Sequence, residues 1–211
     1  MFICSQEIQD EHDRLGHRLG WRWLATPMST LKSAHTAILT LNPGGRYYEE
    51  PVLSCENGNA YFDESWKGRR AGSDPLQVQI QRLIALSGAT KTTVCIGHLV
   101  PFRSPDWRSL DRKIESLSYG FGLWQKATQV SRFKTIFMIG NDTAKILIER
   151  YGAHLVGYNQ TGWGSATSGH WVDDNGRAFI GLPHLSRFAV LGRSTEFDRW
   201  IGQICQNLPS R

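Results

Sequence analysis

No apolar run in the chain approaches the roughly 18 residues that a transmembrane helix needs. The opening stretch, with Gln6, Glu7, Asp10 and Glu11 close behind Cys4, does not resemble a signal peptide. A soluble, cytoplasmic protein with no membrane partner is the expectation. The four cysteines, Cys4, Cys55, Cys95 and Cys205, are scattered without Cys-x-x-Cys spacing, so neither a zinc site nor an iron–sulfur cluster is indicated. Also missing are a Gly-x-Gly-x-x-Gly fingerprint and a P-loop, which argues against a dinucleotide or nucleoside-triphosphate site. No metal and no cofactor are therefore expected. No linker, low-complexity tract or internal repeat divides the 211 residues, and residues 1–211 read as a single domain with one substantial core. Acidic residues are the minority charge: the formal net charge is +5 and arginine outnumbers lysine, a balance that suits bidentate phosphate contacts.

What is present is a recurring pattern of apolar runs that stop at a turn carrying a polar side chain. Leu39-Thr40-Leu41 ends at Asn42-Pro43-Gly44-Gly45, Thr93 to Gly97 runs into His98, Thr135 to Gly140 into Asn141, and Ala178 to Pro183 into His184. Buried strands that deliver polar groups to their ends put them at a sheet edge, where α/β proteins keep their chemistry. These strand ends are expected to converge on one site.

The intervening segments read as helices. Ile8, Leu15, Leu19 and Trp23 follow helical spacing and predict an N-terminal helix, on which His12 and His17 fall as solvated surface. Strand one covers about His35 to Leu41, followed by a long loop from Asn42 to Ser73; loops of that length tend to be functional. Asp74-Pro75 starts a helix that Gly88 ends, and strand two covers Thr92 to Gly97. One helix carries Leu110, Ile114 and Leu117, a further helical stretch covers Leu123 to Val130, and strand three is Lys134 to Ile139. Asn141 or Asp142 caps a helix that Gly152 closes, the segment from Gly157 to Trp171 has no clear assignment, and Asp174-Asn175-Gly176 turns into strand four, Arg177 to Leu182. Phe197, Trp200, Ile201 and Ile204 mark a terminal helix. Apolar strands alternating with amphipathic helices predict a three-layer α/β/α sandwich around a mainly parallel four-stranded sheet.

With Asn42-Pro43-Gly44 after the first strand and Pro183-His184-Leu185-Ser186-Arg187 after the last, the chain resembles the uracil-DNA glycosylase superfamily, in motif style the Asn-Pro-Gly mismatch-specific and single-strand-selective branches. Ile96-Gly97-His98-Leu99-Val100-Pro101-Phe102-Arg103 and Ile139-Gly140-Asn141-Asp142 resemble its second- and third-strand segments, so the likeness spans roughly residues 35 to 190. The second loop is shorter than the family form.

The resemblance implies a monofunctional DNA glycosylase that cleaves the N-glycosidic bond of a flipped-out base. Its partner is DNA, and it acts as a monomer. Asn42 stands at the water-orienting position and His184 at that of the group facing the departing base; Phe62, with Tyr61 second, and His98 would bind the base. Pro43, Gly44, Gly45, Ser186 and Arg187 would grip DNA, Leu185 would be the wedge, and Arg69 and Arg70 would add attraction from the long loop. Asp63 and Glu64 read either as a carboxylate base or as a solvated acidic pair. His98 departs from the usual Asn, which opens the choice of base to deaminated or oxidised bases or a bulky modified cytosine in foreign DNA. A non-catalytic reader of modified bases on the same fold is the alternative.

Overall fold

Four short strands bury nearly every residue they contain: β1 (Thr36–Thr40), β2 (Val94–His98), β3 (Thr135–Ile139) and β6 (Ala178–Leu182). Such strands satisfy their backbone polarity only inside a sheet covered on both faces. In the computed structural model, which describes residues 3–206, they form the parallel part of a six-stranded sheet ordered β2-β1-β3-β6-β5-β4. The remaining strands, β4 (His154–Gln160) and β5 (Thr167–Val172), continue it antiparallel to one another, with β5 antiparallel to β6. The sheet thus has six strands among the described residues where four were expected.

Alternate residues of the parallel strands enter two separate apolar clusters. Ala37, Leu39, Cys95, Ile136, Met138 and Phe179 face one side, with Ile8 of α1 (Ser5–Arg14), Leu123 and Trp124 of α5 (Lys113–Thr128) and Leu147 of α6 (Asn141–Tyr151). Ile38, Val94, Ile96, Phe137, Ile139 and Ile180 face the other, with Ile80 and Leu83 of α4 (Pro75–Leu86) and Phe197 and Ile201 of α7 (Thr195–Gln206). A side-chain period of two in the strands and near 3.6 in the helices produces this division.

Several local expectations hold. Asp74 caps α4, with Gln77 completing a capping box, and Gly152 closes α6 in the left-handed conformation at φ +60°. In the β5–β6 turn, Asp173 Oδ1 accepts the backbone N–H of Asn175 and of Arg177.

Others do not. The first helix ends at Arg14, because Gly16 and Gly20 take φ +76° and +78°. Residues 21–25 then run extended along the free side of β2, where Ala25 N–H donates to Ile96 O and His98 N–H to Trp23 O, and a single turn of helix, α2 (Thr30–Ser33), leads into β1. His12 and His17 are buried at 5% and 9% exposure rather than solvated, His17 stacking on Phe102 at 4.4 Å. The two stretches expected between Leu110 and Val130 are one continuous helix, α5. Gly140, at φ +95°, takes the N-cap of α6 without a side-chain cap from Asn141 or Asp142.

Candidate functional site

Thr40 of β1 is in register with His98 of β2 and with Ile139 of β3, and Ile139 in turn with Leu182 of β6. Parallel pairing in one register brings all four carboxyl ends to the same edge. With strands about 4.8 Å apart, the end of β1 and the end of β6 are about 10 Å apart along it. Asn42, His98, Asn141 and His184 therefore share that edge, as the sequence pattern implied.

Asn42 is held through one half of its amide. Its Nδ2 donates to Ser104 Oγ at 2.8 Å and to the carbonyls of Phe102 and Pro43 at 3.2 Å. The two N–H groups of the amide are shared among these three acceptors, and Oδ1 accepts nothing among the described residues. The result is a fixed carbonyl oxygen with free lone pairs, able to take a hydrogen bond and unable to take a proton.

His98 is fixed by its backbone and by its ring. Its N–H donates to Trp23 O at 2.9 Å, its carbonyl accepts Trp124 Nε1 at 2.8 Å, and Nδ1 shares a hydrogen bond with Thr40 Oγ1 at 2.6 Å. Burial, reinforced by the Arg22 and Arg103 guanidiniums, pushes its pKa down to about 3. The ring is neutral at physiological pH, with one donor and one acceptor nitrogen.

A polar cluster closes this side. Arg22 forms a two-pronged pair with Glu64, at 2.9 and 3.0 Å, and Trp66 Nε1 donates to Glu64 at 3.0 Å. Burial alone would raise the Glu64 pKa, but the Arg22 and Trp66 hydrogen bonds outweigh it and hold it low. Glu64 is thus an anchored ion-pair partner and not a solvated acid; Asp63 accepts Asn59 N–H and pairs with Lys91. Gln77 donates to the carbonyls of Ala60 and Glu64, and Gln81 to those of Tyr61 and Gly72. Two α4 glutamines therefore hold in place much of the long loop, which also contains one turn of helix, α3 (Ala60–Asp63).

Arg103, 7% exposed, spans the loop after β1: Nη1 donates to Gly44 O and Nη2 to Glu49 Oε2 at 2.5 Å. Gly45 is suited to this position because it takes φ +144°, a conformation that L side chains rarely adopt, beside the Arg103 guanidinium. A cleft of about 350 Å³, lined in part by Arg103, Ser104, Ser109 and Asp111, opens beside this loop.

At the far end, His184 is exposed and its imidazole lies over Gly140, where an added Cβ would be 3.6 Å from Cδ2. Ser186 N–H donates to Nδ1 at 3.4 Å, and Ser186 Oγ lies 2.8 Å from the same nitrogen. Desolvation, with Arg187 adding to it, lowers the His184 pKa. In the neutral ring, Nδ1 accepts and the proton resides on Nε2.

Three expected roles change. Leu185 is 1% exposed and belongs to the core, so it is not a wedge. The Gly45 N–H donates to Ser104 O and is not free for a phosphate. Tyr61 is 3% exposed, edge-on to Trp66 at 5.0 Å, with its hydroxyl pKa raised to about 12 by burial, so it presents no open stacking face. Phe62 stays partly exposed. Pro43 is buried; Gly44, Ser186 and Arg187 are exposed, as are Arg69 and Arg70, with Arg69 4.0 Å from Asp74. Arg22, Arg103 and Ser104 were not anticipated as site residues. Arg103 and Ser104 follow His98 within six positions, which was signal enough; Arg22 had none.

Among the described residues, no group of three or more His, Cys, Asp or Glu is placed to hold a metal ion, and no helix is long and apolar enough to cross a membrane. Comparison with known proteins matches the chain to no family model and to no curated protein.

Proposed function

We propose that the protein is a monofunctional DNA glycosylase of the uracil-DNA glycosylase type, hydrolysing the N-glycosidic bond of a flipped-out base to leave an abasic site. The observation that carries this reading is the pairing of two oriented groups on one strand edge: the open Oδ1 of Asn42 and the Nε2–H of His184. Glycosidic cleavage passes through an oxocarbenium-like sugar, with positive charge on the sugar and negative charge on the departing base. Asn42 Oδ1 accepts a hydrogen bond from a water and so aims the water's lone pair at C1′. As the C1′–N bond breaks its electron pair leaves with the base, the water oxygen bonds to C1′, and the water's proton passes to solvent, from which the departed base is protonated. His184 Nε2–H donates to the departing ring.

Neutral His98 reads the base edge through the nitrogen that Thr40 leaves free. A partly exposed Phe62 supplies a stacking surface, and Gly44, Ser186 and Arg187 contact phosphates. Because an amide cannot act as a proton acceptor, turnover is modest. The nucleophile is water and no lysine stands at its position, so no covalent DNA adduct forms. His98 in place of the family's usual Asn favours a base other than uracil, a bulky modified cytosine among them.

The test is a panel of oligonucleotides carrying uracil, thymine mismatches, hypoxanthine, and hydroxymethyl and glycosylated cytosines, scored for alkali-labile sites. Strand scission at one of these bases, without borohydride trapping, is expected. Binding without abasic product anywhere in the panel would replace hydrolysis with a reader function.

A further inference from the structure

Burial of Leu185 leaves a flipping enzyme without a side chain to fill the gap in the base stack, and the surface offers a replacement on the other loop. Tyr47 is 83% exposed, the largest exposure among the big apolar side chains, and makes no hydrogen bond or ring contact among the described residues. It sits five residues after Asn42. Its neighbours are pinned on both sides. Before it, Gly45 N–H donates to Ser104 O at 3.1 Å and Arg103 holds Gly44 O; after it, Glu49 N–H donates to Leu19 O at 3.2 Å and Arg103 holds the Glu49 carboxylate. Gly20 lets the Glu49 carbonyl pack against it, for a Cβ there would lie 2.0 Å from that oxygen.

Arg46, Tyr47 and Tyr48 thus form a short exposed crest on a rigid base. The Arg103 guanidinium that steadies the crest also fixes the loop carrying Asn42. Of the two carboxylates nearby, Glu49 is neutralised by Arg103 and Glu50 accepts the Tyr48 hydroxyl at 3.2 Å. Arg46 beside the crest is exposed and cationic. An aromatic ring on a fixed support next to a cationic side chain is the chemistry that enters a gap in stacked bases while its neighbour meets phosphate.

We propose that Tyr47 is the wedge that inserts into duplex DNA beside the extruded nucleotide. The proposal rests on the glycosylase reading, and its partner is double-stranded DNA with one base removed from the stack. The probe is a duplex carrying a tetrahydrofuran abasic analogue opposite 2-aminopurine, compared with the single strand bearing the same analogue. Tyr47→Ala is expected to weaken duplex binding about tenfold, the loss of one stacking contact, and to abolish the 2-aminopurine fluorescence change. Tyr47→Trp should restore both, and single-strand binding should stay within about twofold. Equal duplex affinity for wild type and Tyr47→Ala, or equal losses on duplex and single strand, would overturn the wedge. If the wild type still leaves abasic sites in the oligonucleotide panel, the glycosylase reading survives that result; if it neither cleaves nor binds the abasic duplex, both fall.

Discussion

The loop after β1 and the loop after β6 lie on the same edge of the sheet and are built differently. The first is held by groups remote in sequence: Ser104 and the Phe102 carbonyl fix Asn42, Arg103 spans its backbone, and Gly20 packs beneath it. The second is held mainly by itself. Its only deeply buried side chain after Pro183 and before Val190 is Leu185, while His184 is oriented by Ser186 two residues away. A group that must aim a water within a few tenths of an ångström needs the first kind of support. A group that meets a departing base and a variable phosphate backbone can use the second.

The largest effect is expected from Asn42→Asp. The anchoring places the amide nitrogen against two carbonyls and a hydroxyl, and a carboxylate oxygen there would face the Phe102 and Pro43 carbonyls with no proton to donate. Excision is expected to fall by at least about 10² despite the gain of a base. A faster enzyme would mean that basicity and not orientation limits it.

Glu64→Ala probes the next layer. It leaves the half-buried Arg22 guanidinium unpaired beside His98, and a loss on the order of 2 kcal/mol is expected in denaturant unfolding. An unchanged midpoint would remove Glu64 from the support of this side of the edge.

The pH dependence is a milder probe. Histidines held at about 3 (His98) and about 4 (His17), both mainly by burial, bind more protons unfolded than folded. Their contribution to stability is complete above about pH 6.5 and is lost as pH falls toward those values, by at most about 1.4 kcal/mol per pH unit for each. Glu64, held low, acts in a separate window below about pH 4.5. Thermal melts between pH 7.5 and 5 should therefore show falling stability, with a shallower fall in His98→Asn. Identical slopes would show that His98 is not held neutral. The smallest effect belongs to the second loop: Arg187→Ala should weaken DNA binding a few-fold and reduce its salt slope by about 1, measured by titration at several salt concentrations.

The parallel strands were legible because each is a short apolar run closed by a turn. β4 and β5 were not, because His154-Leu-Val-Gly-Tyr-Asn-Gln exposes most of its residues and has no buried run to read. In β5, Gly169 is explained only by the Trp171 ring lying over it, since a Cβ there would be 2.1 Å from that ring. The N-terminal segment misled because Leu19 and Trp23 continue a helical spacing past two glycines. Trp21 and Trp23, buried at 1% and 0%, carried the period-two signal of the extended segment that is present.

At the site, Asn42, His98 and His184 were visible as polar residues at strand ends. The Arg22–Glu64 pair joins segments 42 residues apart, and no spacing rule encodes such a contact. Leu185 looked like an exposed wedge because sequence position does not say which way a loop side chain turns.

Under the proposed glycosylase function, the anchored amide of Asn42 directs water to the sugar of an extruded nucleotide. Single-turnover excision of the oligonucleotide that the panel identifies, by wild type and by Asn42→Ala with binding measured in parallel, tests it. Alkali-labile sites are expected from the wild type, with a rate at least about 10² lower for Asn42→Ala and affinities within about threefold. Excision by Asn42→Ala at the wild-type rate, or no abasic product from the wild type on any member of the panel, would contradict it.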